Sequence, residues 1–472
     1  HRLNALEAAF VKLDEAGAPF RVGAVLVFER GPLATQSGEL DTARLRQFIA
    51  SAVDHLPRYR QRIHRIPILG HPVWLDCERL DLDDHVRFAR LRPPGREAEL
   101  NELAGRVFSS PLPLDRPPWQ FWFVDGLAGD RFAEIVYIHH ALVDGISGVR
   151  LLEALLRPVP DARVSPRAPW HPDRASTSAL IKGELGHRLR GLAAIHRSLP
   201  GPAGELVPAL ADLLVRGLRP ASDAGLNRGR VGSERIVAGW QVPMADIAQV
   251  RRRFGATVND VVLASVAGAL RRFLIRRGVD VSTLSDFRAM VPASTHEASD
   301  TSVSGNRVAM LLAQLPLDQP EPARRMERVR ATTSALKRAS HHVAAGELLL
   351  RVCDVSAPSL LPALMNLSLA RRAFNVVITD IPGPRVPLYL LGCRLQSFHP
   401  IVNLWPQHTL GLAFFSYAGT MYCGLHADRD AIADLDPLVG DLEASFAELR
   451  DAARPADVAP AEAAASPALA TA

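Results

Sequence analysis

The chain has 472 residues, 48% of them hydrophobic and 22% charged, a profile that fits a folded protein of two large domains or three smaller ones. It excludes a disordered chain, a collagen-like fibre and a small disulfide-stapled scaffold. The 55 basic and 50 acidic residues leave a net charge of +5, and only Lys12, Lys182 and Lys337 are lysine, so the arginine bias reads as coding composition and not as a nucleic-acid footprint.

Along the chain, Val22 to Phe28 reads as a buried strand and Asp41 to His55 as a helix, apolar at Leu45, Phe48, Ile49 and Val53. Phe132 to Ile138 reads as a second buried strand, followed by a helix over Gly148 to Leu156. Prolines and glycines then loosen the pattern, with helical patches near Ser178 to Leu192 and Leu206 to Leu218. Asn259 to Ile275 is a strongly periodic helix. Arg307 to Leu315 and Ala373 to Ile378 read as strands, and Leu410 to Leu425 as a hairpin turning at Ala418-Gly419. Leu348 to Leu369 reads as an amphipathic segment, and Ile432 to Ala452 as a closing helix. The expected organisation is an α/β domain over 1–156, a partly helical connector over 157–234, a second α/β domain over 235–453 and an Ala/Pro-rich disordered tail over 454–472.

Cys77, Cys353, Cys393 and Cys423 form no C-x-x-C pair and have no histidine at zinc-ligand spacing, so reduced cysteines and no metal are expected. The opening His1-Arg2-Leu3-Asn4 carries no charged-then-apolar leader pattern. No run approaches 18 apolar residues, so no spanning helix is expected. No G-x-S-x-G elbow is present, which removes Ser147 as a nucleophile, and no Walker A or G-x-G-x-x-G loop appears.

The stretch that carries chemistry is His139-His140-Ala141-Leu142-Val143-Asp144-Gly145. It sits where a buried strand ends and a helix begins, a place from which side chains reach a ligand crevice. A histidine there can take and return a proton near neutral pH. Asp144 can fix the loop by hydrogen bonding, and Gly145 suits a sharp exit turn. The plainer alternative is a pair of core or turn histidines.

H-H-x-x-x-D-G is the signature of the CoA-dependent acyltransferase superfamily, which includes chloramphenicol acetyltransferase and peptide-synthetase condensation domains. Further segments make the chain resemble the bacterial wax ester synthase/diacylglycerol acyltransferase family. They are Pro113-Leu114-Asp115-Arg116-Pro117-Pro118-Trp119, Arg60-Gln61-Arg62, Pro72-Val73-Trp74, Asp84-His85-Val86, Thr257-Val258-Asn259-Asp260, Gly305-Asn306-Arg307, Asp380-Ile381-Pro382-Gly383-Pro384 and Ser416-Tyr417-Ala418-Gly419. They fall in family order from about Leu3 to Leu449. Departures include Pro118 for the usual Leu and Asp380 for the frequent Asn.

The resemblance implies two chloramphenicol-acetyltransferase-like domains, each a mixed sheet flanked by helices, with a channel at their interface. It implies transfer of a long-chain fatty acyl group from CoA to diacylglycerol, and to long-chain alcohols as wax esters. His140 would be the general base and Asp144 the loop holder, with His139 and Gly145 in support. Trp119, Asn259, Asp260, Asn306, Pro382 and Gly383 would be channel-lining or structural. Trp119 is first a packing residue, and Asn259 is equally readable as the N-cap of its helix. No cofactor is expected, acyl-CoA being a substrate. The expected setting is cytoplasmic, peripheral on a membrane or lipid-droplet surface, with no nucleic-acid partner and homo-oligomerisation left open. Acceptor preference stays open too. Competing readings are another H-H-x-x-x-D-G acyltransferase of condensation or polyketide-loading type, and a catalytically silent lipid-surface binder. A glycerol-phosphate acyltransferase would need a phosphate motif that the chain lacks.

Overall fold

The computed structural model describes residues 1–17, 19–143, 151–198, 219–294, 308–338, 349–370 and 372–454. Two six-stranded mixed sheets form its frame. In the first sheet the central pair is β1 (Arg21–Glu29) and β6 (Arg131–His139), antiparallel, with Arg21 opposite His139. β5 (Trp119–Leu127) pairs antiparallel with β6, and β4 (Val86–Arg90) lies parallel beyond it at the edge. β2 (Gln61–Arg65) and β3 (Pro72–Asp76) form a separate hairpin. The second sheet runs β7 (Arg235–Pro243), β14 (Thr420–Asp428), β13 (Leu410–Tyr417), β10 (Val376–Pro382), β8 (Arg288–Ser294) and β9 (Val308–Gln314).

The remaining strands, β11 (Tyr389–Leu390) and β12 (Cys393–Ile401), correct the sequence-based partition. They belong by position to the second half, yet β12 completes the first sheet, pairing antiparallel with β1 so that Val25 faces His399. The physical reason is that β1 is buried and needs a hydrogen-bonding partner on each side. β6 supplies one and the returning chain supplies the other. Residues 235–453 therefore do not form a self-contained unit. β12 also approaches the second sheet closely: a Cβ on Gly424 of β14 would fall 1.8 Å from the Pro400 carbonyl oxygen. Only glycine permits that contact.

Helices cover the sheets. α1 (Ala5–Glu15) starts with a reciprocal capping box: the Asn4 side chain accepts from the Glu7 N–H, and the Glu7 side chain accepts from the Asn4 N–H. α2 (Thr42–Asp54) buries Leu45, Phe48, Ile49 and Val53, the stripe expected from its periodicity. α3 (Glu97–Ser109) bridges the halves, the Ser109 hydroxyl accepting from the Arg235 N–H at 2.8 Å. α4 (Thr177–Ser198) is the helix of the connector; the second patch expected there, Leu206 to Leu218, lies outside the described residues. α5 (Met244–Phe254) ends at Gly255 with φ of 58°. α6 (Val258–Arg276) is buried along most of its length, and α7 (Pro322–Arg338) packs on it. The stretch expected as one amphipathic segment divides into a helix at 349–355 and α8 (Leu360–Ala370), separated by a turn that contains Pro358. α9 (Asp436–Ala452) closes the chain, starting four residues later than the apolar pattern suggests because Pro437 occupies its first turn. The expected disordered tail lies beyond the described residues, apart from Arg454.

Candidate active site

β6 is an uninterrupted buried strand, and its last residue delivers the histidine pair to the seam between the two halves. His140 opens a short 3-10 turn, His140–Leu142, whose backbone is tied down twice. The His140 N–H donates to the Phe20 carbonyl at 2.8 Å, and the Val143 N–H donates to the His140 carbonyl at 3.2 Å.

The two imidazoles have different surroundings. His139 is fully buried, and its Nδ1 accepts from the Ala141 N–H at 3.1 Å. The remaining nitrogen, Nε2, therefore carries the ring proton and points at Asp14 Oδ2, 3.6 Å away. Burial pushes His139 down to about 3, with Arg21 and then His140 adding to the effect, so this ring is neutral at physiological pH. Asp14 is itself pushed upward by burial, against the pull of Arg21, whose Nη2 lies 3.3 Å from Asp14 Oδ1.

His140 keeps part of its surface accessible. Its Nδ1 is enclosed and lacks a well-formed hydrogen bond, although its own carbonyl pulls the ring's proton affinity up against the larger effect of burial, which lowers it. Its ring lies 4.5 Å from Phe10, centroid to centroid. Phe10 stacks on Phe20 at 4.8 Å, and Trp405 meets Phe20 edge-on at 5.0 Å. Phe374 and Met290, from the second sheet and its approach, pack in the same apolar cluster. The candidate base thus stands against an aromatic wall built by both halves of the chain.

Sequence reasoning did not find Phe10, Phe20, Trp405 or Asp14. One signal was available: Asn4 and Glu7 stand at capping-box spacing, which starts a helix at Ala5 and places Phe10 and Asp14 four residues apart on one face.

The other expected residues occupy separate places. Asp144, Gly145 and Asn306 lie outside the described residues. Trp119 is fully buried; its Nε1 donates to the Tyr59 carbonyl at 2.8 Å and its ring stacks on His85 at 4.5 Å, so it is a packing residue. Asn259 is not the helix cap. That position is Thr257, whose hydroxyl accepts from the Asp260 N–H while Asp260 Oδ2 accepts from the Thr257 N–H. Asp260 also accepts from the Thr333 hydroxyl at 2.7 Å, tying α6 to α7. Pro382 ends β10 at the surface. Gly383 donates its N–H to Ser416 Oγ at 3.1 Å, and a Cβ there would fall 2.2 Å from the Ser416 carbonyl oxygen. Among the described residues no hydrogen bond, ion pair or ring contact joins these groups to His139 or His140.

Several of the other family-like segments converge elsewhere. Arg62, Asp84, His85, Asp115 and Arg116 line a cleft of about 520 Å³ beside the β4–β5 edge, with Arg116 paired to Asp84 at 2.5 Å. Its charged lining suits neither an acyl chain nor the aromatic setting of His140.

Known proteins resemble this chain along most of its length. Residues 3–262 match the wax ester synthase/diacylglycerol acyltransferase catalytic domain, and residues 304–450 match the family's C-terminal domain. A relative from Mycobacterium tuberculosis, named as a probable diacylglycerol O-acyltransferase, is 31% identical over 455 residues, covering 95% of this chain and 96% of its own. A Mycobacterium bovis relative with a diacylglycerol O-acyltransferase name is 32% identical over 461 residues, covering 94% and 98%. Among solved structures, the wax ester synthase/diacylglycerol acyltransferase from Marinobacter aquaeolei VT8 superposes with a TM-score of 0.68 at 26% identity, covering 96% of this chain and all of that one. The first condensation domain of the calcium-dependent antibiotic synthetase, at 19% identity and a TM-score of 0.60, shares the two-domain fold. With a catalytic-domain match over more than half its length and relatives along nearly all of it, the chain belongs to the wax ester synthase/diacylglycerol acyltransferase family.

Proposed function

We propose that the protein transfers a long-chain fatty acyl group from CoA to the free hydroxyl of diacylglycerol, with His140 as general base. The observation that carries this reading is the position of His140: at the end of β6, against an aromatic wall to which both halves contribute. The enclosed Nδ1 faces inward, leaving Nε2 as the nitrogen offered to substrate. It would draw the proton from the acceptor hydroxyl as that oxygen attacks the thioester carbonyl. The tetrahedral species collapses, the C–S bond breaks, and the imidazolium returns the proton to the CoA thiolate. A base so placed contributes roughly 10²–10⁴-fold, and holding the two substrates end to end adds to it. No acyl-enzyme is needed, and no cofactor beyond the acyl-CoA substrate enters. The family resemblance assigns Asp144 and Gly145 supporting roles beside the base.

The names carried by the mycobacterial relatives support diacylglycerol as acceptor, and the family name supports a long-chain alcohol as a second one. Among the described residues no helix is long and apolar enough to cross a membrane, which supports peripheral association with the lipid that holds the acceptor.

The test is CoA release from one long-chain acyl-CoA against a panel of acceptors, using the native chain and His140→Ala. We expect diacylglycerol to support turnover, and the variant to lose it while still binding acyl-CoA and keeping its melting temperature within a few degrees. Full activity in His140→Ala would remove the base assignment. CoA release from the native chain with no acceptor in the panel would remove the acyl-transfer reading.

A further inference from the structure

α4 (Thr177–Ser198) is built inside out. A surface helix of a water-soluble protein turns its leucines inward and its charges outward. Here the buried side is ionic. The Glu184 side chain is 1% exposed, and it accepts from Arg2 Nε at 2.7 Å and Arg188 Nε at 2.8 Å, with His71 3.7 Å away. One turn on, His187 Nε2 lies 2.8 Å from Asp354 Oδ2. The outward side is apolar: Leu185, Leu189 and Leu192 are 46%, 69% and 54% exposed. At 3.6 residues per turn these three leucines share an arc of about 60°. Ion pairs fix the inner face in register, so the helix cannot roll to hide them.

The charge on this helix favours one kind of cover. Its sole acidic residue is the buried Glu184, against Lys182, Arg188, Arg190 and Arg197. Lys182 and Arg190 are exposed beside the leucine stripe. Apolar side chains flanked by long cationic ones, with no exposed carboxylate, match the boundary between acyl chains and anionic headgroups.

We infer that α4 is the face by which the protein docks on an anionic lipid surface, Leu185, Leu189 and Leu192 entering the acyl layer and Lys182 and Arg190 resting among the headgroups. The docking face is joined to the candidate active site through α1. Arg2, just before α1, holds Glu184, and Phe10 of α1 lies on the His140 ring. The inference rests on the acyl-transfer reading only for its purpose, since lipid binding is measured without turnover.

The experiment is flotation of the full chain with phosphatidylcholine vesicles, with and without phosphatidylglycerol. It compares the native protein, Leu185→Gln/Leu189→Gln/Leu192→Gln and Lys182→Glu/Arg190→Glu. The native protein should float with the anionic vesicles and be released by high salt or carbonate. The leucine variant should lose roughly tenfold or more in partitioning, and the charge-reversal variant should lose its preference for phosphatidylglycerol. Because all five positions are exposed, the melting temperature should hold. CoA release from detergent-dispersed substrates should stay at the native rate, while release from vesicle-borne acceptor falls. Native protein that does not float, or a leucine variant that floats equally well, overturns the inference. So does a native dimer in vesicle-free buffer that the leucine substitutions convert to monomer, because the stripe is then an interface between copies. Absence of CoA release from dispersed substrates in the native protein would instead count against the acyl-transfer reading and leave the flotation result standing.

Discussion

At the scale of single residues, the two histidines of the motif divide their work by environment. Burial lowers the proton affinity of His140, so it stays neutral, and able to accept a proton, below the ordinary histidine value of about 6.5. The acid limb of kcat/KM should therefore inflect below that value, and the limb should vanish together with activity in His140→Ala. His139 does something else. Its Nδ1 holds the Ala141 N–H and its Nε2–H faces Asp14, so it fixes the peptide that follows His140. Asp14→Ala removes the acceptor of Arg21 Nη2 and the carboxylate that stands beside the His139 Nε2–H. We expect a stability loss of about 1–3 kcal/mol and a fall in kcat of roughly 10- to 100-fold through misplacement of His140, with KM for acyl-CoA little changed. Asp14→Asn retains an oxygen acceptor and should recover most of kcat. Steady-state kinetics and thermal melts on both variants decide this; equal losses in the two would mean that the charge, and not the hydrogen bond, is what counts. The motif was legible because histidine at a strand end is chemically unusual. Phe10 and Trp405 were not, because an aromatic residue beside an active site and one in a core look the same in sequence.

At the scale of elements, legibility followed how local each signal was. β1, α2, β6 and the β13–β14 hairpin were readable from apolar runs, periodicity and the Ala418-Gly419 turn. The pairing of β12 with β1 was not. Its nine residues, with the buried Cys393, Leu395 and Phe398 among exposed or half-buried neighbours, read as a strand that could join either sheet, and nothing local identifies a partner some 370 positions away in sequence. That pairing carries a prediction. A chain cut in the connector near Arg174 leaves a first fragment whose β1 edge is bare, and bare edges aggregate. Expressed alone, residues 1–174 should be insoluble or associate. Co-expressed with residues 175–472, they should recover a one-to-one complex that releases CoA. Size-exclusion chromatography of the separate and joint preparations checks this. A monomeric, stably folded first fragment would show that β12 is dispensable to its sheet.

At the scale of the whole molecule, several buried titratable groups set opposing demands on pH. Burial pushes His139 and His426 down to about 3 and His399 to about 4, with Arg21 acting on His139 and Arg235 on His426. Between those values and the ordinary 6.5, the unfolded chain binds protons that the folded protein refuses. Stability from these groups is therefore complete above about 6.5 and is lost as pH falls toward 3–4. Glu134 acts in the other direction. It lies on β6 opposite Leu26 and Phe123, and both carboxyl oxygens are buried without a hydrogen-bond partner. Burial raises it to about 8. Between 4.5 and 8 the folded protein keeps a proton that the unfolded chain releases, so this contribution is lost as pH rises through that window. Burial likewise pushes His408 down to about 4 and Asp380 up to about 6. Stability should therefore be greatest between about 6.5 and 7 and fall on either side, more steeply on the acid side, where the histidines held down by burial outnumber the carboxyls held up by it. Glu134→Gln removes the alkaline loss at nearly constant volume. At pH 8.5 the variant should exceed the native protein by on the order of 1–3 kcal/mol, and the gap should shrink to near zero by pH 4.5. Chemical denaturation of both proteins across this range tests the point: a gap that stays constant with pH would mean that the Glu134 side chain does not titrate in the folded state, and a variant less stable at every pH would mean that its carboxyl has a partner.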